Sequence, residues 1–364
     1  MATTIVPVSA DAHVNEPHNL WFERLPESMR ASAPRYIEPD SRGFHQLVVN
    51  DDPVGWKHVL PSRALELDEE RIGAATPDVR LQMMADDGIG GEIVYPTIGL
   101  YIWDIADAGV GEESCRVYND WMYERLGSAS DRIKLAAMIP TWEVDAAIRE
   151  VARSAERGFA SAMMPLTGTP PWNAPEWDPL WAVLEETGLP ATLHQGTGNK
   201  GGIVYRGPGS AQANLLTAET QAPRTVALLT CSGTLERHPG LHVVLVETNG
   251  GWLAWCMELL DEYSSDWSRP ALAELPSHYI ARQVHCTFQN DPVAIANLPL
   301  IGAQTLLWGN DYPHGEGTYP NSQKVIGELF RDVGHDDRQR ILADNAIEIF
   351  GFDREVVSEP VQMG

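Results

Sequence analysis

The 364-residue chain predicts an α/β fold, a (β/α)8 barrel, with a long insertion after its first strand. Three observations predict it. Eight short, mostly apolar runs recur, patterned like parallel strands buried on both faces. Longer stretches of helical periodicity separate them. Ionisable residues gather at the C-terminal ends of several runs, where barrel enzymes carry their chemistry. An open doubly wound sheet is the competing architecture; the placement of the polar residues favours the barrel.

The elements follow in order. The first strand, 4–10 (TIVPVSA), runs straight into "SADAHVNEP". Residues 19–76 form the insertion, rich in aromatics and prolines, with a hairpin around Val48 to Val59. A helix opened by Pro77-Asp78 runs to 87 and leads to the second strand, 92–96 (EIVYP). A helix over 112–126 precedes strand three, 134–140 (KLAAMIP). A helix over 143–157 stops at Gly158 before strand four, 161–165 (SAMMP). The helix 178–187 stops at Gly188 before strand five, 190–195 (PATLHQ). The glycine-rich loop 196–210 (GTGNKGGIVYRGPGS) is expected to act as a lid. A long helix over 211–237 leads to strand six, 242–248 (HVVLVET). An amphipathic helix over 252–263 precedes strand seven, 284–289 (VHCTFQ), and strand eight is 304–309 (QTLLWG). Helices over 322–333 and 337–350 close the chain. No repeat interrupts the pattern, and residues 1–364 read as one domain.

Acids outnumber bases 51 to 26, a formal charge of −25. Nucleic acid and anionic membrane surfaces are repelled, so a small molecule is the expected partner. Cys115, Cys231, Cys256 and Cys286 form no CxxC pair and read as reduced, buried thiols. No signal-peptide pattern or membrane-length apolar run occurs, so the expected location is the cytoplasm. A homo-oligomer is expected, with a hetero-oligomer of related subunits as the variant.

Asp11 and His13 stand two apart, so in extended chain they point to the same side. At the mouth of a barrel that pair is a platform for a divalent cation. Glu16 follows just beyond. His194 ends strand five, Glu247 ends the apolar strand six, and Asp311 follows strand eight with His314 in the next turn. Gly309 lets the backbone pass close to other groups. Taken singly, each of these has a plain structural explanation: a polar turn, a satisfied histidine, a glutamate bridged to an arginine such as Arg237, a capped turn. Taken together, they put acids or imidazoles at one end of strands one, five, six and eight. Asp11, His13, His194 and Asp311 are therefore expected around one cation. Glu16, Glu247 and His314 remain for a second metal or for acid–base work. Trp103, Trp172 and Tyr205 lie in loops that either line a pocket or pack. Gly196-x-Gly198-x-x-Gly201 matches a dinucleotide fingerprint in form, but the glycines and proline after it leave no helix for the pyrophosphate.

The stretches "SADAHVNEP", "TLHQGTG", "RHPGLHVVLVETNGGW", "LLWGNDYPHGEGTYPNS" and "ILADNAIEIFGF" resemble the amidohydrolase superfamily. The likeness is to the amidohydrolase-related group that contains aminocarboxymuconate-semialdehyde decarboxylase. The resemblance implies a metal-bearing (β/α)8 barrel with Asp11, His13, His194 and Asp311 as ligands. Two features depart from it. Asp11 stands where the first-strand pair usually begins with histidine, which moves the site toward harder metals. Glu247 stands where the group's decarboxylases carry a catalytic histidine. Strand four, "SAMMPL", offers no lysine for a bridging carbamate.

The leading expectation is a metal-dependent hydrolase that cleaves a C–N, C–O or C–C bond. One cation, or two, of zinc, iron or manganese would lower the pKa of bound water toward about 7, with Asp311 accepting the proton. A non-haem iron or manganese oxygenase, a decarboxylase and a non-catalytic partner subunit are the alternatives.

Overall fold

The structure is a computed structural model that describes residues 5–54, 59–61, 76–198, 204–267 and 270–362. Eight parallel strands follow one another in chain order: β1 (Val8–Val14), β2 (Gly91–Pro96), β3 (Ile133–Met138), β4 (Ser161–Pro165), β5 (Ala191–His194), β6 (Val243–Val246), β7 (Val284–Phe288) and β8 (Leu306–Trp308). Helices cover them from outside, so nearly every strand residue is buried, as the apolar runs require.

The barrel closes just beyond β8. The Asp311 amide donates to the Asp11 carbonyl (2.8 Å) and the His13 amide to the Tyr312 carbonyl (2.6 Å). Gly309 makes this approach feasible, because a Cβ there would lie 2.6 Å from that of Asp11. The residues that close the barrel are thus those expected to bind metal.

The first strand differs from expectation. It starts at Val8 and runs to Val14, so Asp11 and His13 lie within it rather than after it. Between Ser9 and Ala12 it holds one more residue than β2 does between Glu92 and Val94, a bulge beside Asp11. Bulges of this kind re-aim side chains next to active sites.

Four helices match closely: Pro77–Asp87, Ala108–Leu126, Val144–Glu156 and Asp178–Thr187. The stretch expected as one helix over 211–237 is three: Ser210–Glu219, Gln221–Cys231 and Thr234–Arg237. Pro223 cannot donate the amide that a continuous helix needs, and Gly233 has φ +76°. The last helix is likewise interrupted by a π-type turn, Arg340–Asp344. There Asn345 turns inward and donates to the Ala303 and Leu306 carbonyls at 2.8 and 2.7 Å. Pro276–Gln283, just before β7, is a helix the periodicity did not reveal.

In the insertion, strands Arg35–Tyr36, Phe44–Val49, Asp52–Pro53 and Val59–Pro61 form a small antiparallel sheet. Its hairpin turns at Asn50 and Asp51, both with positive φ, as a tight primed turn demands. Within the expected lid, 199–203 lie outside the described residues, and with them the third glycine of the dinucleotide-like pattern. Among the described residues no helix is long and apolar enough to cross a membrane.

Candidate metal centre

At the C-terminal end of the barrel, β1 delivers Asp11 and His13 and β5 delivers His194; all three side chains are fully buried. The ring of His13 donates from Nδ1 to the Pro96 carbonyl (2.7 Å). That of His194 donates from Nδ1 to the Gln195 carbonyl (2.9 Å). Both Nε2 atoms are then left as acceptors, yet they face each other at 3.1 Å. Asp11 Oδ1 lies 3.3 Å from one and 3.8 Å from the other. Three lone pairs converging in a buried space repel one another unless a proton or cation sits among them. Asp11 Oδ1 and Asp311 Oδ2 are buried and accept no hydrogen bond among the described residues. The donor set therefore fits a divalent cation, with the carbonyl contacts fixing the imidazole tautomers.

Two groups satisfy the spacing for a metal: Asp11, His13 and His194, and His13, Asp311 and His314. Asp311 Oδ1 is 3.5 Å from His13 Nε2 and 2.9 Å from His314 Nδ1. His13 has only Nε2 to offer, so the groups share a ligand atom and describe the surroundings of one cation. His314 stacks near His13, ring centroids 4.1 Å apart, and its Nε2 lies 3.1 Å from Thr97 Oγ1.

The charges follow the geometry. Burial opposes ionisation of Asp11, but the His13 and His194 imidazoles outweigh it and hold the carboxyl well below its usual range. Burial and the neighbouring His314 push His13 down to about 3, so it is a neutral ligand. Burial pushes Asp311 up to about 6. Burial disfavours the charged form of His314, but Asp311 overcomes this and raises it to about 9.

Glu16 is set apart from the cluster. Its carboxylate accepts the amides of Thr97, Ile98 and Gly99 at 3.2, 2.8 and 2.8 Å and so caps the turn after β2. Glu247 lies beside His194, Oε2 to Nδ1 3.9 Å, with about a quarter of its side chain exposed (24%). Burial raises its pKa to about 8. The arginine alternative does not apply, because Arg237 pairs with Asp178. Trp103 and Trp172 are buried packing residues whose indoles donate to the Ile139 and Pro165 carbonyls, and Tyr205 is exposed.

Several supporting residues carry no sequence motif. Thr287 on β7 donates to Asp11 Oδ2 (3.4 Å) and accepts the Glu247 amide (2.7 Å). Asn310 accepts from Ser9 Oγ (3.0 Å) and donates to Asp87 (3.3 Å), which also accepts from Ser322. This belt holds the turn that carries Asp311. Asp311, Glu247 and Asn249 all have φ between +53° and +60°. Such conformations are costly for residues with side chains and concentrate at functional sites. Below the cluster, Arg80 and Glu92 form a fully buried ion pair, and Arg80 Nη1 donates to the His13 carbonyl (2.9 Å). Period-two alternation marks the faces of β7, but nothing in a single sequence says which strand Thr287 or Arg80 will meet.

Residues 10–352 match the amidohydrolase family, and the chain belongs to it. It is 25% identical over 299 residues to the gamma-resorcylate decarboxylase of Rhodococcus jostii (strain RHA1), covering 76% of this chain and 88% of that one. An amidohydrolase structure from Mycobacterium avium subsp. paratuberculosis K-10 superposes with a TM-score of 0.79 at 19% identity, covering 96% of this chain and all of that one. A dihydroxybenzoic acid decarboxylase from Polaromonas sp. JS666, with bound manganese and the inhibitor 2-nitroresorcinol, gives 0.67 at 18% identity, covering 96% and 98%. These structural likenesses speak to the fold. The activities named for the two decarboxylases agree with the decarboxylase alternative better than with the leading expectation of a hydrolase.

Proposed function

We propose that this protein is a metal-dependent decarboxylase of small hydroxylated aromatic acids, with 2,6-dihydroxybenzoate as the model substrate. The site holds one divalent cation, manganese before zinc or iron, because the carboxylate-rich ligand set suits a harder metal. Asp11, His13, His194 and Asp311 hold it. A cation held by these residues would supply Lewis-acid stabilisation of negative charge on the substrate's oxygens.

The observation that carries the reading is Glu247. Glu247 lies 3.9 Å from the His194 imidazole with about a quarter of its side chain exposed, so it meets both the ligand cluster and solvent, as a group that relays a proton must. That suits an acid, and decarboxylation consumes a proton. Glu247 gives its proton to the ring carbon that bears the carboxylate. The C–C electron pair then returns to the ring, CO2 leaves, and solvent reprotonates Glu247 through its exposed edge. Glu247 thus stands in for the histidine that related decarboxylases place at this strand end.

The test incubates manganese-loaded protein with 2,6-dihydroxybenzoate and follows CO2 release and resorcinol formation. Inertness toward a panel of hydroxybenzoates, with turnover of amides or esters, would return the protein to the hydrolases.

A further inference from the structure

Gln289 follows the last residue of β7. Alternation along that strand sends Cys286 and Phe288 outward, where Phe288 packs on Phe330 with ring centroids 6.3 Å apart. It sends Thr287 inward, onto Asp11 Oδ2 and the Glu247 amide. Gln289 stands where the strand gives way to a bend at the C-terminal end of the barrel, the end that carries the metal ligands, and one further step of the alternation falls on the side of Thr287. The Trp308 indole, donating to the Gln289 carbonyl at 3.2 Å, pins the backbone there.

The side-chain Nε2 of Gln289 is buried and has no hydrogen-bond partner among the described residues. Buried donors are paired in nearly all native proteins, so an orphan needs an explanation. Orphaned acceptors stand at this end of the barrel too. Asp11 Oδ1 and Asp311 Oδ2 are acceptors, and a cation satisfies them. An N–H donor gains nothing from a cation; it needs an oxygen. Among the described residues none bonds to it, and the molecule that enters the mouth under the decarboxylase reading carries several.

We infer that Gln289 is a substrate-anchoring residue, whose amide donates to a carboxylate or phenol oxygen of the bound aromatic acid. This rests on the proposed decarboxylation of hydroxylated aromatic acids, and it adds a residue that sets affinity and orientation. A neutral amide suits the task. It fixes an oxyanion without bringing a second cation beside the metal, and it stays a donor at every pH at which the enzyme is folded.

Gln289→Met keeps the length and removes the donor. Calorimetric titration of manganese-loaded protein with 2,6-dihydroxybenzoate should show affinity about tenfold weaker than wild type, with manganese content unchanged. Thermal melting without ligand is the independent reading. Removing an unpaired buried donor should leave Tm equal or higher, whereas removing a structural hydrogen bond should lower it. Unchanged affinity overturns the inference, and so does a lowered Tm. If wild type itself fails to bind 2,6-dihydroxybenzoate, the decarboxylase reading fails instead. The melt still decides then whether the Gln289 donor is kept free: a drop overturns that, and a level or raised Tm upholds it.

Discussion

Replacing Glu247 by glutamine preserves shape and removes the acid. The size of the effect follows from the role of the acid. General-acid catalysis contributes roughly 10²–10⁴-fold. Glu247→Gln should therefore lower kcat by at least about 10²-fold while metal per chain stays at one. The assay is kcat against pH on manganese-loaded enzyme, with elemental analysis. Wild-type activity should show a basic limb as Glu247 gives up its proton, and the variant should lack that limb. Stability without metal moves as a raised carboxyl requires. The native state binds the proton more tightly than the unfolded chain, so this contribution is full below about 4.5 and is lost as pH rises through about 8. The variant should lose that slope. A kcat within about threefold of wild type, with the basic limb intact, would refute the assignment. A drop from two metals to one would instead make Glu247 a ligand of a second cation.

Three further outcomes are expected. His194→Ala should lose the metal by elemental analysis while circular dichroism shows the fold retained; full occupancy would remove His194 from the ligand set. Manganese affinity should fall as pH drops through about 6, because Asp311 must shed a proton to bind and burial holds it up there; titrations at pH 5 to 8 that show no trend would exclude Asp311 as a ligand. Arg80→Met strands the buried Glu92 carboxylate and should cost about 3–5 kcal/mol in urea unfolding, with less lost when Glu92→Leu accompanies it; equal losses in the single and double variants would argue against the pair.

The barrel was legible because parallel strands buried on both faces read as apolar runs, and because Pro77, Gly158 and Gly188 punctuate the helices between them. Breaks inside helices were less legible: Pro223 signalled one, but the π turn at Arg340–Asp344 arises from Asn345 reaching two carbonyls far away in sequence. The clustering of Asp11, His13, His194 and Asp311 was legible for the same reason as the strands, since each lies in a strand or just beyond one at the same end of the barrel. Glu16 was misplaced as a ligand candidate because a carboxylate near a cluster looks the same in sequence whether it faces a cation or three amides. Thr287, Asn310 and Asp87 were invisible, because their roles lie wholly in contacts between elements distant along the chain.

The seam of the barrel has a consequence for assembly. Asp11 and His13 emerge from synthesis about 300 residues before Asp311, and the amide contacts joining them cannot form until the last strand is in place. Until then the site has one wall missing, so a cation captured early would be held by only part of its ligands. Full loading is therefore an event of the finished chain. A cation held there would clip the first strand to the turn beyond the last, closing the largest loop that the barrel contains. A clip across so long a loop constrains the open chain far more than the closed one. The metal would thus serve as the latch of the fold as well as the seat of its chemistry, and apoprotein would begin to unfold by parting at this seam.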